Sequence, residues 1–159
     1  MSEPSTDKSS LPTPPADRYR RRIQFRDTDA AGIAHFSTFF LFMEEAEHEF
    51  LRARDMSVLM HDEAGAISWP RVAVKCDYAS PVKFEDVLDI DVSLTRIGEK
   101  SVTYAFAFSC DGRAVARGEI TAVCCRVGEN VAPKSIPIPL DLRTKLTAAP
   151  SERGDKLRR

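Results

Sequence analysis

The chain has 159 residues, a formal net charge of -1 and a hydrophobic fraction of 43%, which together predict one soluble domain built on a single core. The near-neutral charge argues against a nucleic-acid partner, because proteins that bind this polyanion usually carry an excess of Lys and Arg. No apolar run approaches the roughly 20 residues of a membrane span, and the first residues lack a secretory pattern. We therefore expect a cytoplasmic protein without a membrane partner.

The four cysteines show no Cys-x-x-Cys spacing: Cys76, Cys110, Cys124 and Cys125. In a reducing compartment we expect them to be free thiols or small buried apolar side chains. The three histidines are scattered along the chain, so the sequence indicates no zinc site. No glycine-rich phosphate-binding motif is present, and we expect neither a metal nor a cofactor.

Composition divides the chain into three parts. Residues 1–16 are rich in Ser, Pro and Thr and are predicted to be disordered. Residues 17–143 carry clear hydrophobic periodicity and are predicted to form the folded domain. Residues 144–159 are charged and mostly unpatterned, which indicates a C-terminal tail that is either frayed or contains a short helix.

The first predicted strand spans residues 20–26, where Ile23 and Phe25 alternate with polar side chains. A loop with two aspartates and a glycine follows. The strongest predicted helix then spans residues 37–54, with Ser37 or Thr38 as the expected N-cap. Its apolar side chains recur at helical spacing: Phe39, Met43, Ala46 and Phe50.

Residues 56–65 are predicted to add a short helical turn that ends at Gly65. Apolar and polar residues then alternate along four predicted strands: 71–78, 88–95, 101–108 and 115–127. Asp111-Gly112 is typical of a tight hairpin turn, and Trp69 is expected to pack at the start of the first of these strands or to touch a substrate. One apolar sheet face covered by one helix predicts an α+β fold.

Two stretches carry a family resemblance: FRDTDAAGIAHF at residues 25–36 and FMEEAEHEFLR at residues 42–52. Together they resemble the start of a hotdog-fold thioesterase, in particular the 4-hydroxybenzoyl-CoA thioesterase type, and the strand pattern extends the resemblance over roughly residues 18–137. The resemblance implies a curved antiparallel sheet wrapped around one long central helix. It also implies hydrolysis of an acyl-CoA thioester, with CoA as part of the substrate, by a dimer or tetramer whose active sites lie at subunit interfaces.

Thioester hydrolysis needs a nucleophile or a base that activates water, together with a group that polarises the carbonyl. The thiol leaves readily because its pKa is near roughly 8.5. The family motif places the catalytic carboxylate at Asp29, as nucleophile or general base, and the tight turn at Gly32. It places the oxyanion contact at the backbone N–H of Phe36. The alternative for Asp29 is an Asx turn or loop cap, and Asp27 is interpreted as a structural turn residue.

His35 needs a separate interpretation. Many relatives of the short-chain branch have a histidine one position later, where this chain has Phe36, so a catalytic histidine is not carried over. His35 is either an accessory polar group of the pocket or a half-buried loop residue that makes hydrogen bonds. Phe39 and Phe40, with Phe36, are predicted to line an acyl pocket or to pack in the core.

The predicted hairpin near residue 100 is the candidate contact for CoA. Lys100-Ser101 resembles the CoA-contacting hairpin of the family, and Arg96 lies close to it in the sequence. Lys and Arg there would bind phosphate. Charge alone makes these residues ordinary exposed turn residues.

A different branch of hotdog thioesterases uses a glutamate in the middle of the helix. The rival candidates here are Glu44, Glu45, Glu47 and Glu49, most of which we expect on the solvated face. Glu47 takes a place where relatives often have arginine, a departure that bears on dimer contacts.

Other functions stay open. The fold can serve as a non-catalytic module that binds acyl thioesters, or as a thioesterase that acts on acyl-carrier-protein. A hotdog dehydratase or hydratase needs a different His-bearing motif, which this sequence lacks. The acyl group is not determined by the sequence.

Overall fold

The computed structural model describes residues 17–151, so the predicted tail at residues 1–16 lies outside the described residues, as do residues 152–159. Nine strands and two α-helices follow one another along this described part. They are β1 (Asp17–Arg22), α1 (Thr38–Arg52), β2 (Leu59–Asp62), β3 (Gly65–Ser68), β4 (Arg71–Tyr78), β5 (Val87–Ile97), β6 (Ser101–Cys110), β7 (Arg113–Val123), β8 (Cys125–Gly128), β9 (Val131–Ser135) and α2 (Leu140–Thr147). A short 3-10 helix (Phe25–Asp27) lies between β1 and α1.

The main sheet has five strands in the order β1-β5-β6-β7-β4, and all of its neighbouring strands are antiparallel. Along β6 every second side chain is buried, because side chains of a strand alternate between the two faces of its sheet. The buried face packs against α1, whose 15 residues make about four turns. This arrangement confirms the predicted α+β architecture of a curved sheet around one central helix.

The predicted apolar stripe of the long helix is confirmed. Phe39, Met43, Ala46 and Phe50 are all buried in the core, where each large side chain contributes roughly 1.5–3 kcal/mol relative to an exposed position. Gly118 on β7 faces this stripe, and a Cβ there would collide with the sulfur of Met43. The absence of a side chain at Gly118 therefore lets helix and sheet approach closely.

The predicted helical turn at residues 56–65 is wrong. The chain instead forms the antiparallel pair β2–β3, which belongs to a second sheet in the order β2-β3-β8-β9. Gly65 has a φ of +124°, a conformation that glycine adopts without steric cost. The hydrogen bonds to β8 decide the structure of this segment, and the local sequence does not reveal them.

Two predicted strands have different limits in the structure. The first strand ends at Arg22, and Phe25 lies in the 3-10 helix with 78% of its surface exposed. The predicted strand 115–127 is divided at Cys124 into β7 and β8, which pair in different sheets. The hydrophobic pattern of the sequence continues through Cys124, so it does not reveal that the chain leaves one sheet and joins another at this residue.

α2 crosses the predicted boundary between the domain and the C-terminal tail, where a short helix was one of the two alternatives. Residue 143 falls inside α2, in which Leu142 and Leu146 are buried. The folded part therefore continues through this short helix, because two leucines at i and i+4 face the core together.

Within residues 17–151, neither helix is long and apolar enough to cross a membrane.

Candidate active site

A tight loop precedes α1 and carries the candidate carboxylate. The N–H of Asp29 donates to the carbonyl of Ile33 over 2.9 Å, and the N–H of Gly32 donates to the carbonyl of Asp29 over 2.9 Å. Gly32 has a φ of +77°, so the turn that was predicted at this glycine is present and suits it. A further bridge joins Ile33 to Lys83 in the loop before β5, which fixes the turn to the body of the protein.

Asp29 as a whole residue is half-buried, and the hydrogen bond of its carboxylate is exposed to solvent. Its Oδ1 accepts a hydrogen bond from the N–H of Ala31 over 2.8 Å, which is an Asx turn. Its Oδ2 has no hydrogen-bond donor within residues 17–151. The turn therefore holds the side chain in place and leaves one carboxylate oxygen available.

Asp27 is buried and has a structural role. Its Oδ2 accepts the N–H of Gln24 over 2.7 Å and lies 3.2 Å from Nη1 of Arg21. Its carbonyl accepts the N–H of His35 over 2.7 Å. These contacts agree with the interpretation of Asp27 as a turn residue.

His35 holds the residues at the start of α1. Ser37 occupies the N-cap position, but its side chain makes no capping hydrogen bond. The carbonyl of His35 accepts the N–H of Thr38, the first helical residue, over 3.0 Å. The ring Nδ1 of His35 accepts the N–H of Ser37 over 3.2 Å and lies 2.7 Å from the Ser37 hydroxyl. Thr38 donates its hydroxyl to the carbonyl of His35 over 2.6 Å. His35 is thus a half-buried residue that organises the helix start.

Phe36 lies between this loop and the helix. Its ring is 62% exposed, and its N–H has no acceptor among the residues that the structure describes. Its carbonyl accepts the hydroxyl of Tyr78 over 2.7 Å. Sequence reasoning missed Tyr78, since a tyrosine at the end of a strand does not indicate which loop it contacts.

The other aromatic candidates pack inward. Phe39 is buried and meets Tyr78 and Phe108 edge to face, at centroid distances of 5.2 Å and 5.3 Å. Phe40 is half-buried against the same core. Of the two predicted roles, core packing therefore describes Phe39, whereas Phe36 is the aromatic residue that lies at the surface of the loop.

The candidate CoA-binding hairpin lies far from Asp29 on the same chain. Arg96 and Lys100 are exposed and Ser101 is half-buried, at the turn between β5 and β6. The loop of Asp29 lies at the opposite end of β5, whose 11 residues span on the order of 33–36 Å. One chain alone does not bring the two groups together.

Most of the four glutamates of α1 keep contact with solvent, as predicted, and Glu47 is the exception. Glu47 is fully buried and accepts a hydrogen bond from Arg71, while Glu44 is exposed and Glu45 and Glu49 are half-buried. The helix turns position 47 toward β4, and Arg71 supplies the countercharge that a buried carboxylate needs. Trp69 is also buried, as expected, and its Nε1 has no partner among the described residues.

All four cysteines are free. Cys110, Cys124 and Cys125 are buried and Cys76 is half-buried. Burial raises the pKa of the Cys124 thiol to about 11, so it stays protonated at neutral pH and is a poor nucleophile. Within the described residues, no group of three or more His, Cys, Asp or Glu side chains is arranged to hold a metal ion.

Three surface grooves lie away from Asp29. Two of them occupy the outer face of the main sheet around Ala107 and Arg117, and one lies beside Phe25 and Arg26. None of these three includes Asp29, so they do not form a crevice over its carboxylate.

Comparisons with known proteins agree with this architecture. A profile of the thioesterase-like superfamily matches residues 23–146. The 1,4-dihydroxy-2-naphthoyl-CoA hydrolase of Thermosynechococcus vestitus is 26% identical over 147 residues, which cover 91% of this chain and 97% of that protein. The acyl-CoA thioester hydrolase YbgC of Escherichia coli O157:H7 is 25% identical over 128 residues, covering 75% of this chain and 91% of that protein.

A solved structure of a gentisyl-coenzyme A thioesterase superposes with a TM-score of 0.70 at 27% identity and covers 82% of this chain and 99% of that one. The predicted hotdog fold and the predicted enzyme class are thereby confirmed. The profile match spans most of the described residues, including the Asp29 loop, α1 and the strands β4 to β7 of the main sheet. The chain belongs to the thioesterase-like superfamily and is a hotdog-fold thioester hydrolase.

Proposed function

We propose that the protein hydrolyses acyl-CoA thioesters, with Asp29 as the reacting carboxylate and the backbone N–H of Phe36 as the oxyanion donor. One observation carries the proposal. Oδ2 of Asp29 and the N–H of Phe36 have no hydrogen-bond partner within residues 17–151, and both belong to one hydrogen-bonded loop at the N-terminus of α1. A carboxylate and a free amide near the positive end of a helix dipole are the two groups that the reaction needs.

The chemistry follows from these two groups. As a general base, Asp29 takes a proton from water while the water oxygen bonds to the thioester carbon, and the N–H of Phe36 stabilises the resulting oxyanion. Collapse of this intermediate breaks the carbon–sulfur bond and releases CoA as a thiolate, which then takes up a proton. As a nucleophile, Asp29 would bond to the thioester carbon and expel CoA as a thiolate, and water would then hydrolyse the resulting anhydride to the free acid and the Asp29 carboxylate. Both routes use the same atoms.

A second copy of the chain would complete the site. Within the described residues β4 pairs only with β7, and its free edge carries Val72 and Val74, which are 62% and 44% exposed. An exposed apolar edge strand is suited to pairing with another strand. A two-fold axis perpendicular to the sheet would make two copies of β4 antiparallel, so the partner's β5–β6 hairpin would approach the Asp29 end of this sheet.

Such a dimer would bring Arg96, Lys100 and Ser101 of one subunit to the CoA bound at the other. The exposed cations of one subunit would bind the CoA phosphates, while Asp29 of the other subunit faces the thioester. The exposed ring of Phe36 beside the site favours an aromatic or apolar acyl group. Two of the similar proteins bear the names of aromatic acyl-CoA hydrolases, which favours the same class.

The test is Asp29→Asn, assayed by release of free thiol from a panel of aliphatic and aromatic acyl-CoAs. Asparagine keeps an Oδ1 that accepts the N–H of Ala31, so we expect the loop to stay folded. The expected loss in kcat is about 10²–10⁴-fold. The control is Asp89→Asn, which removes a carboxylate that pairs with Arg20 at 2.8 Å on the outer sheet face and should leave activity unchanged.

Retention of more than a tenth of the parent activity in Asp29→Asn would exclude the proposed role of this carboxylate. A parent that binds acyl-CoA without hydrolysing it would support a binding module instead. Faster hydrolysis of acyl-carrier-protein than of acyl-CoA would identify the carrier protein as the natural donor.

A further inference from the structure

Tyr78 connects the edge strand of the sheet to the start of the long helix. It is the last residue of β4, and its hydroxyl donates a hydrogen bond to the carbonyl of Phe36 over 2.7 Å. Its ring meets that of Phe39 edge to face, with a centroid distance of 5.2 Å and an interplanar angle of 87°. Phe39 is buried in the first turn of α1. Tyr78 therefore contacts both the loop before the helix, at Phe36, and the first turn of the helix, at Phe39.

The carbonyl that Tyr78 binds and the proposed oxyanion donor belong to the same residue, Phe36. Phe36 carries the unpaired N–H, and the hydrogen bond from Tyr78 limits rotation of the backbone at the same residue. An oxyanion donor is effective because it already points at the developing charge and does not reorganise during the reaction. A displacement of about 1 Å at such a position can lower a rate by about 100-fold.

The hydroxyl of Tyr78 is suited to this role throughout the working pH range. Tyr78 is 48% exposed, and partial desolvation of its phenol, with a smaller effect from the Cys76 thiol, raises the pKa of Tyr78 to about 12. The group therefore keeps its proton and donates constantly, and it does not act as an acid or a base near neutral pH.

We propose that Tyr78 is a positioning residue of the thioesterase reaction, which holds the oxyanion donor at Phe36 from the edge strand β4. The inference rests on the proposed function and adds a residue that the sequence motif does not contain. It also links catalysis to the strand edge at which a second subunit would pair.

The experiment compares Tyr78→Phe with Tyr19→Phe. Tyr19 is a matched control, because it lies on β1, the opposite edge of the same sheet, and donates its hydroxyl to Glu45 of α1 over 3.2 Å. Both variants lose one phenolic hydroxyl that bonds to the helix region and keep the aromatic ring. For Tyr78→Phe we expect kcat to fall about 10–100-fold, with KM within about twofold and the acidic limb of the pH–rate profile unmoved.

Amide hydrogen exchange across residues 35–39 supplies a readout that does not depend on activity. Tyr78→Phe should raise exchange in this segment, whereas Tyr19→Phe should leave both kcat and this exchange as in the parent. Unchanged exchange in Tyr78→Phe, unchanged kcat, or an equal loss in both variants would overturn the inference. A parent that hydrolyses no acyl-CoA would refute the proposed function itself, and the exchange measurement would still show whether Tyr78 holds the helix start.

Discussion

Arg71 on β4 donates a hydrogen bond through Nη2 to Oε2 of Glu47 in α1 over 2.9 Å, and only 1% of the Glu47 side chain is exposed. The other carboxylate oxygen, Oε1, is buried without a hydrogen-bond partner in the described part of the chain. Burial raises the pKa of Glu47, and the charge of Arg71 opposes this rise only in part. The centre of the long helix thus holds a carboxylate whose ionisation is disfavoured.

The raised pKa of Glu47 predicts the sign of a pH effect on stability. Between the ordinary carboxyl pKa and the raised value, the folded state binds more protons than the unfolded state, so the free energy of unfolding falls as pH rises. We expect Glu47→Gln to remove this contribution. Urea denaturation of the parent and the variant from about pH 4 to pH 8 measures it.

Glu63→Gln is the control, because Glu63 is exposed in the turn between β2 and β3 and is not among the charges that affect the pKa of Glu47, so the pH dependence of the parent should stay intact. If Glu47→Gln showed the same slope of stability against pH as the parent, the assignment of this effect to Glu47 would be wrong.

A buried ion pair ties β1 to the end of α1. Nη2 of Arg54 lies 2.9 Å from Oδ2 of Asp17, with side-chain exposures of 0% and 3%, and the Arg54 guanidinium stacks 3.6 Å from the centroid of Phe50. Removing one partner of such a pair leaves a buried charge uncompensated. We expect Asp17→Ala to lower the free energy of unfolding by about 3 kcal/mol, measured by chemical denaturation.

Asp91→Ala is a matched comparison on the neighbouring strand. Asp91 pairs with Arg18 at 2.8 Å, but the exposures are 30% and 55%, and an exposed pair contributes at most about 1 kcal/mol. Equal effects of the two substitutions would show that burial does not set the value of the Arg54 pair.

The proposed pairing of β4 edges predicts a link between assembly and activity. Val74→Asp places a charge on the exposed edge, where a second β4 would exclude water. We expect a monomer by sedimentation velocity, with hydrolysis lost and thermal stability retained. Val131→Asp is the control, because Val131 is 69% exposed on β9 of the smaller sheet. A fully active Val74→Asp monomer would contradict a site shared between subunits.

The proposed CoA contact predicts a substrate-dependent effect of Lys100. Loss of one charge-assisted phosphate contact should raise KM for acyl-CoA about tenfold in Lys100→Glu, and the difference from the parent should shrink as salt is added. The same acyl group on a pantetheine thioester lacks the nucleotide phosphates, and its KM should not change. An equal increase for both thioesters would place Lys100 in a general structural role.

Some features follow from local sequence because they depend on spacing along the chain. The alternation in β5 and β6 requires strands with one buried face, and the stripe from Phe39 to Phe50 requires a helix that covers them. The glycine at position 32 likewise marks a turn with positive φ. Each of these patterns indicates which face of a helix or strand is buried, and it does so without information about the neighbouring elements.

Other features depend on which elements meet, and no local pattern contains that information. Residues 59–68 form a hairpin because β8 lies beside them, and Glu47 is buried because Arg71 on a distant strand supplies its countercharge. The hydrogen bond from Tyr78 to Phe36 joins residues 42 positions apart. The sequence by itself determined the fold class, the central helix and the candidate loop, through short-range periodicity and motif. Only the tertiary structure decided the partners of the helix start, the burial of its charges and the distance from Asp29 to the β5–β6 hairpin, since these depend on contacts between residues far apart in the chain.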